Sequence, residues 1–265
     1  MAFAAGILWS FGGLLIKWVD WSPLAISGGR SGIAALVFLA YLRRPRFTWS
    51  PVQLGAAVAY SATVITFVVA NKLTTAANAI LLQYTAPIYA ALLGWWFLRE
   101  RVTWRDWLTM GVVSGGMALF FIDKLSLGGM WGNLLAMLSG VTWAIMVTLL
   151  RKQRHGSPAE SVLLGNVLTF LIGIPAMVAS PPTLAVVPGI LLLGIFQLGL
   201  AYVLYAEAMK HITALEGLLV PTIEPILNPI WVMLLLNETP GPWALAGGAI
   251  VLTAITARAV SKALA

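Results

Sequence analysis

Apolar residues fill this chain in ten runs, each close to the roughly 20 residues that a helix needs to cross a bilayer. The runs cover about residues 2–19, 22–42, 52–73, 76–98, 104–122, 129–150, 158–179, 187–209, 214–236 and 242–260. Little sequence is left between them for a soluble domain. Charged residues make up only 9% of the 265, against about 25% in soluble domains. The expectation is an all-α membrane protein with ten transmembrane helices.

In such a chain basic residues report orientation rather than nucleic-acid binding. With both termini on one side, that side carries Arg43, Arg44, Arg46, Arg99, Arg101, Arg105, Arg151, Lys152, Arg154, Lys210, Arg258 and Lys262. The other side carries Lys17, Lys72 and Lys124, and Arg30 lies inside the second run. Twelve against three predicts cytoplasmic termini. Trp18, Trp21, Trp49, Trp104, Trp107, Trp131 and Trp243 fall near segment ends, where indoles form an interfacial belt. Cysteine is absent, which excludes disulfides, thiolate metal sites and thiol nucleophiles. His155 and His211 stand in loops without metal-ligand spacing, so no metal or cofactor is expected. No basic leader precedes the first run, which gives no sign of a cleavable signal peptide. There is no phosphate-binding Walker loop and no hydrolase or metalloprotease motif, so no catalytic residue and no enzyme activity is expected.

The chain also repeats itself. A shift of 138 residues brings Thr75-Ala76 onto Thr213-Ala214, Pro87 onto Pro225 and Glu100 onto Glu238. A shift of 134 brings Trp9 onto Trp143 and Lys17 onto Arg151. Residues 1–126 and 127–265 thus read as two five-helix units. An odd number of spans turns the second copy over, which gives inverted repeats with a binding site expected near midplane. The fourth run holds Gln83-Tyr84-Thr85-Ala86-Pro87. The ninth holds Pro221, Glu224, Pro225, Asn228 and Pro229, with its prolines four apart. Each proline removes a backbone donor and clashes with the carbonyl four residues back. Interrupted helices of this kind survive in lipid only where they pack on protein or line a wet cavity. Pro87, Pro221, Pro225 and Pro229 are the candidate hinges.

On these features the chain resembles the drug/metabolite transporter superfamily, in particular its ten-helix EamA-type exporters. Leu8-Trp9-Ser10-Phe11-Gly12, Arg30, and the Pro87…Leu98-Arg99-Glu100 run echoed by Pro225…Leu236-Asn237-Glu238 carry the likeness. The aromatic interior resembles, more narrowly, the YddG-type aromatic amino-acid exporters. The resemblance implies a multi-pass carrier in the bacterial inner membrane, with a central cavity and small-molecule export. Arg30 departs from the symmetry: Asn166 lies in the comparable region of the seventh run.

Polar and aromatic residues deep in apolar runs are the candidate substrate-binding set: Trp9, Tyr60, Asn78, Gln83, Tyr84, Trp143, Gln197, Tyr202, Glu224 and Asn228. An amino acid needs a donor for its carboxylate, an acceptor for its ammonium and a surface for its side chain. Glu224 or a tyrosine hydroxyl serves the ammonium, and the rings serve the side chain. The plainer reading makes each aromatic a packing or lipid-facing residue. Arg30 either pairs with an acid or a proline-freed carbonyl, or meets an anionic substrate. The expected partners are a small-molecule substrate, an amino acid or similar metabolite, and the lipid bilayer. No nucleic acid is expected, and a monomer is the working unit. A carrier of cationic drugs or of sugar phosphates, a non-transporting subunit and a membrane enzyme are the alternatives. Phosphate recognition calls for several cavity cations, and only Arg30 is available.

Overall fold

The computed structural model describes residues 1–122, 129–156, 158–227, 231 and 242–263. Among them there are helices and no strands. In order they are α1 (Ala2–Trp9), α2 (Gly12–Trp18), α3 (Pro23–Leu42), α4 (Pro51–Leu73), α5 (Ala76–Gln83), α6 (Ala86–Leu93) and α7 (Trp104–Phe121). There follow α8 (Met130–Lys152), α9 (Pro158–Ala179), α10 (Val187–Leu192), α11 (Ala201–Ala208), α12 (Ala214–Leu219) and α13 (Pro242–Ala263). Gly94–Leu98 and Leu193–Leu200 are π-helical, and Val220–Thr222 is a 3-10 turn followed by α-helical residues 223–227. Among the described residues six helices are long and apolar enough to cross a membrane, and Ala2–Trp18 and Leu245–Arg258 are shorter apolar helices.

Local sequence sets many helix starts. Ser22 and Ser50 accept from the backbone three residues on, each with proline at the first helical position. Thr103 with Asp106, and Thr213 with Glu216, form reciprocal capping boxes. Each such cap contributes about 1 kcal/mol. Other features are less visible in sequence. The first apolar run is broken at Ser10–Phe11, where Ser10 Oγ donates to the Ile7 carbonyl at 2.6 Å and accepts from Trp231 Nε1 at 2.7 Å.

Burial is inverted relative to a soluble domain. Leu36, Val58, Leu134 and Leu171 face outward, while Arg30, Asn71, Asn166, Gln197 and Glu224 are buried. Six of the seven end-positioned tryptophans are exposed; Trp21 is half-buried and donates to the Ser180 carbonyl at 2.6 Å.

The packing pairs first-half helices with second-half ones. α4 lies on α8 and α9, α3 on α9 and the 193–200 π stretch, and α7 on α13. α6 lies on α8 and α12, and α1 on α11 and the 220–222 turn. Small residues allow the close approaches. A Cβ at Gly173 of α9 would lie 2.5 Å from the Cα of Gly28 in α3. Gly28 therefore serves close packing of α3 on α9.

Candidate functional site

The break after α1 leaves Trp9 at a helix end, against rings from two other helices. Its ring lies 6.0 Å from Trp143 of α8, edge to face, and 4.8 and 4.9 Å from Tyr202 and Tyr205 of α11. Tyr60 of α4 closes on Tyr202 at 4.9 Å, and Tyr84 on Trp143 at 5.4 Å. Centroid spacings of about 4.5–7 Å are those of favourable aromatic pairs. A cavity of about 40 Å³ sits among these rings, lined by Trp9, Arg30, Thr63, Val64, Phe67, Gln83, Trp143, Gln197, Leu198, Tyr202 and Glu224.

Proline chemistry places the acid. Pro225 has no N–H, so the Pro221 carbonyl lacks its usual helical donor. Tyr84 Oη lies 3.0 Å from that carbonyl and 2.9 Å from Glu224 Oε2, so one hydroxyl proton serves both. Gly6 of α1 makes room for this turn: a Cβ there would lie 3.1 Å from the Pro221 Cα. In the fourth run, α5 stops at Gln83 and α6 starts at Ala86, with Pro87 in its first turn. The two interrupted segments thus meet through Tyr84 and Glu224.

Arg30 is 1% exposed. Its Nη1 donates to Gln197 Oε1 at 3.1 Å, so its partner is an amide, neither the acid nor the proline-freed carbonyl that its sequence setting pointed to. The meeting depends on glycine: a Cβ at Gly194 would lie 2.9 Å from the Arg30 carbonyl. Gln197 itself sits in the π stretch, a departure common at functional sites. Gln83 and Tyr60 are tied down. Gln83 Nε2 donates to Ser139 Oγ at 2.7 Å, and Tyr60 Oη to Asn166 Oδ1 at 3.0 Å.

Comparison with known proteins bears on this arrangement. The EamA-like transporter family model matches residues 1–122 and 130–257. The chain belongs to the EamA-like transporter family. It is therefore a multi-pass membrane protein and a small-molecule transporter. No curated protein matches the chain. A solved crystal structure aligns over 99% of this chain and 96% of its own, with a TM-score of 0.81 at 19% identity. At that identity the likeness shows the fold alone.

Of the candidate residues in this EamA-like transporter, Trp9, Gln83, Trp143, Gln197, Tyr202 and Glu224 line the cavity, and Tyr60 and Tyr84 stand directly behind it. Asn78 lies apart, in the first turn of α5, where its Nδ2 donates to Asn133 Oδ1 at 3.0 Å. Pro87, Pro221 and Pro225 are buried at the two interruptions. Asn228 and Pro229 lie outside the described residues, as does Glu238. The sequence-based set omitted Arg30, Thr63 and Tyr205. The i, i+3 spacing of Tyr202 and Tyr205, which shares a helix face, was the available signal for Tyr205.

A roomier cavity, about 240 Å³, lies between α6, α7, α12 and α13. Its acids are engaged in structure. Asp106 caps α7 and pairs with Arg258 at 2.6 Å, and Glu216 caps α12. Glu100 pairs with Arg151 Nε at 3.0 Å and accepts from Ala214 N at 3.1 Å. Size favours this cavity; the smaller one gathers Trp9, Arg30 and Trp143, whose buried Nε1, Nε and Nε1 atoms have no partner among the described residues. The Glu100 contacts tie α8 to the start of α12. Glu100→Ala is expected to lower stability by about 1.5–3 kcal/mol, measured by unfolding in detergent. Combined with Arg151→Met, the loss should be less than additive; strict additivity would show that the two do not cooperate.

Proposed function

We propose that this EamA-like transporter is a secondary carrier that exports amino acids, aromatic ones included, and related small metabolites across a bacterial inner membrane. It works as ten transmembrane helices in two inverted five-helix repeats, residues 1–126 and 127–265, with both termini cytoplasmic. The observation that carries this reading is the 2.9 Å bond between Tyr84 and Glu224. It links two proline-interrupted segments at a cavity with aromatic walls.

The packing supports the repeat. Moving on by five spans turns the α4–α8 contact into the α11–α1 contact, and α6–α8 into the 220–222 turn on α1. The 138-residue shift lays Val220–Thr222 over residues 82–84, so both interruptions fall at matching places. Helices broken at corresponding positions of two repeats are the usual makers of a midplane site. Small-molecule sites occupy about 300–1,000 Å³, far above the 40 Å³ between these rings. Substrate therefore enters only when the repeats rock apart, with Pro87, Pro221 and Pro225 as the bending points. Glu224 receives the substrate ammonium, and the rings take the side chain and add attraction for the cation.

A panel of labelled amino acids in proteoliposomes, with and without a pH gradient, tests the proposal. Saturable uptake with counterflow is expected. Uptake no higher than in protein-free vesicles for every amino acid would overturn the substrate class. A second reading, an organic cation without a carboxylate, is favoured by the same acid and aromatic walls.

A further inference from the structure

Six buried side-chain nitrogen or oxygen atoms among the described residues have no hydrogen-bond partner there. Three of them belong to residues lining the aromatic cavity: Trp9 Nε1, Trp143 Nε1 and Arg30 Nε. All three are N–H groups that can only donate. They come from three different helices, α1, α3 and α8. The other three, Ser31 Oγ, Asn71 Oδ1 and Glu160 Oε2, lie outside this lining and are oxygens, all able to accept. Unpaired donors are thus concentrated where the chain also keeps its deepest cation.

Arg30 adds a charge argument. The ion pairs among the described residues are Glu100–Arg151, Glu207–Lys210 and Asp106–Arg258. Arg30 is in none of them, and its guanidinium is held by the neutral amide of Gln197. A buried cation without a counter-ion is costly, and an incoming anion relieves that cost. A planar guanidinium with its Nε free suits a carboxylate. Gln197 fixes the plane of the group and leaves that Nε available.

We infer that Arg30, Trp9 and Trp143 form the carboxylate-binding part of the cavity, so that the transporter selects solutes bearing a carboxylate over the corresponding amines. The inference rests on reading this cavity as the substrate site, and it deepens that reading. Glu224, also in no ion pair among the described residues, takes the ammonium. The cavity is thereby complementary to a zwitterion, and the donors decide against the organic-cation reading.

Calorimetry on the purified transporter with phenylalanine, 3-phenylpropionate and phenethylamine tests this. The last two lack the ammonium and the carboxylate, respectively. Phenylalanine is expected to bind at least about tenfold tighter than phenethylamine, the value of one charge-assisted hydrogen bond. 3-Phenylpropionate is expected to bind measurably. Trp9→Phe and Trp143→Phe keep a ring and remove an N–H, so each should narrow the phenylalanine-to-phenethylamine ratio. This ratio is insensitive to a general loss of folded protein, which keeps the test valid if a variant folds poorly. Phenethylamine binding as tightly as phenylalanine, or ratios unchanged in both tryptophan variants, would overturn the inference. Binding of 3-phenylpropionate without phenylalanine would sink the amino-acid reading and uphold the carboxylate site. Binding of none of the three would overturn both.

Discussion

Glu224→Gln is expected to weaken phenylalanine binding by about 10–100-fold, the worth of a hydrogen bond to a charged partner. The fold should survive, because the amide keeps an oxygen in place to accept from Tyr84 Oη, now 2.9 Å from the carboxylate. What the substitution removes is the negative charge. 3-Phenylpropionate, which brings no ammonium, should bind the variant no less tightly than the parent. Equal weakening of both ligands, together with a lowered Tm, would return Glu224 to a structural role. Tyr84→Phe makes the complementary change. It leaves the charge and removes the donor shared by Glu224 and the Pro221 carbonyl, so its main effect should be on stability rather than on ligand preference.

A large effect on stability is expected at the crossing of α3 and α9. Gly173→Val should cost about 1–3 kcal/mol or more, as overpacking of a tight interior does. A Cβ at Gly173 would lie 2.5 Å from the Gly28 Cα and 2.9 Å from the Leu24 carbonyl. Both are backbone atoms, so no rotamer change relieves the clash and the helices must separate. Gly111 supplies the control. It is exposed on α7 with nothing within 4 Å of an added Cβ. Gly111→Ala should be neutral or stabilising, by up to about 1 kcal/mol from helix propensity. Thermal unfolding of both variants in one detergent decides the matter. A Tm for Gly173→Val equal to that of the parent would show that this approach is not tight.

The helical class was legible because lipid demands long apolar runs, and the starts of α3 and α4 because Ser-Pro pairs announce them. The interruptions near Pro87 and Pro221 were legible because proline cannot continue a hydrogen-bond ladder. The break at Ser10–Phe11 was not, since neither residue forbids a helix. It is held by Trp231, far along the chain, whose indole donates to Ser10 Oγ. The π stretch around Gln197 was hidden for a similar reason: its close approach to α3 is a property of packing. Trp9, Trp143 and Tyr202, which line the aromatic cavity, stand out in the sequence because large polar-tipped rings deep in apolar runs are few. Asn78 has the same apparent depth, but its place three residues after Thr75 puts it in a capping turn, beside Asn133. Arg30 could not be placed from sequence, because its partner Gln197 lies 167 residues away.

The proposed mechanism requires one cavity to open to each side of the membrane in turn. The chain has no cysteine, so a single thiol at Thr63, which lines the cavity and bonds to the Ala59 carbonyl and Thr142, reports on access without background. Membrane-impermeant thiol reagents applied to right-side-out and inside-out vesicles measure that access. Thr63→Cys is expected to react from both faces, with phenylalanine protecting it from each. Reaction from one face alone, unchanged by phenylalanine, would contradict alternating access at this site.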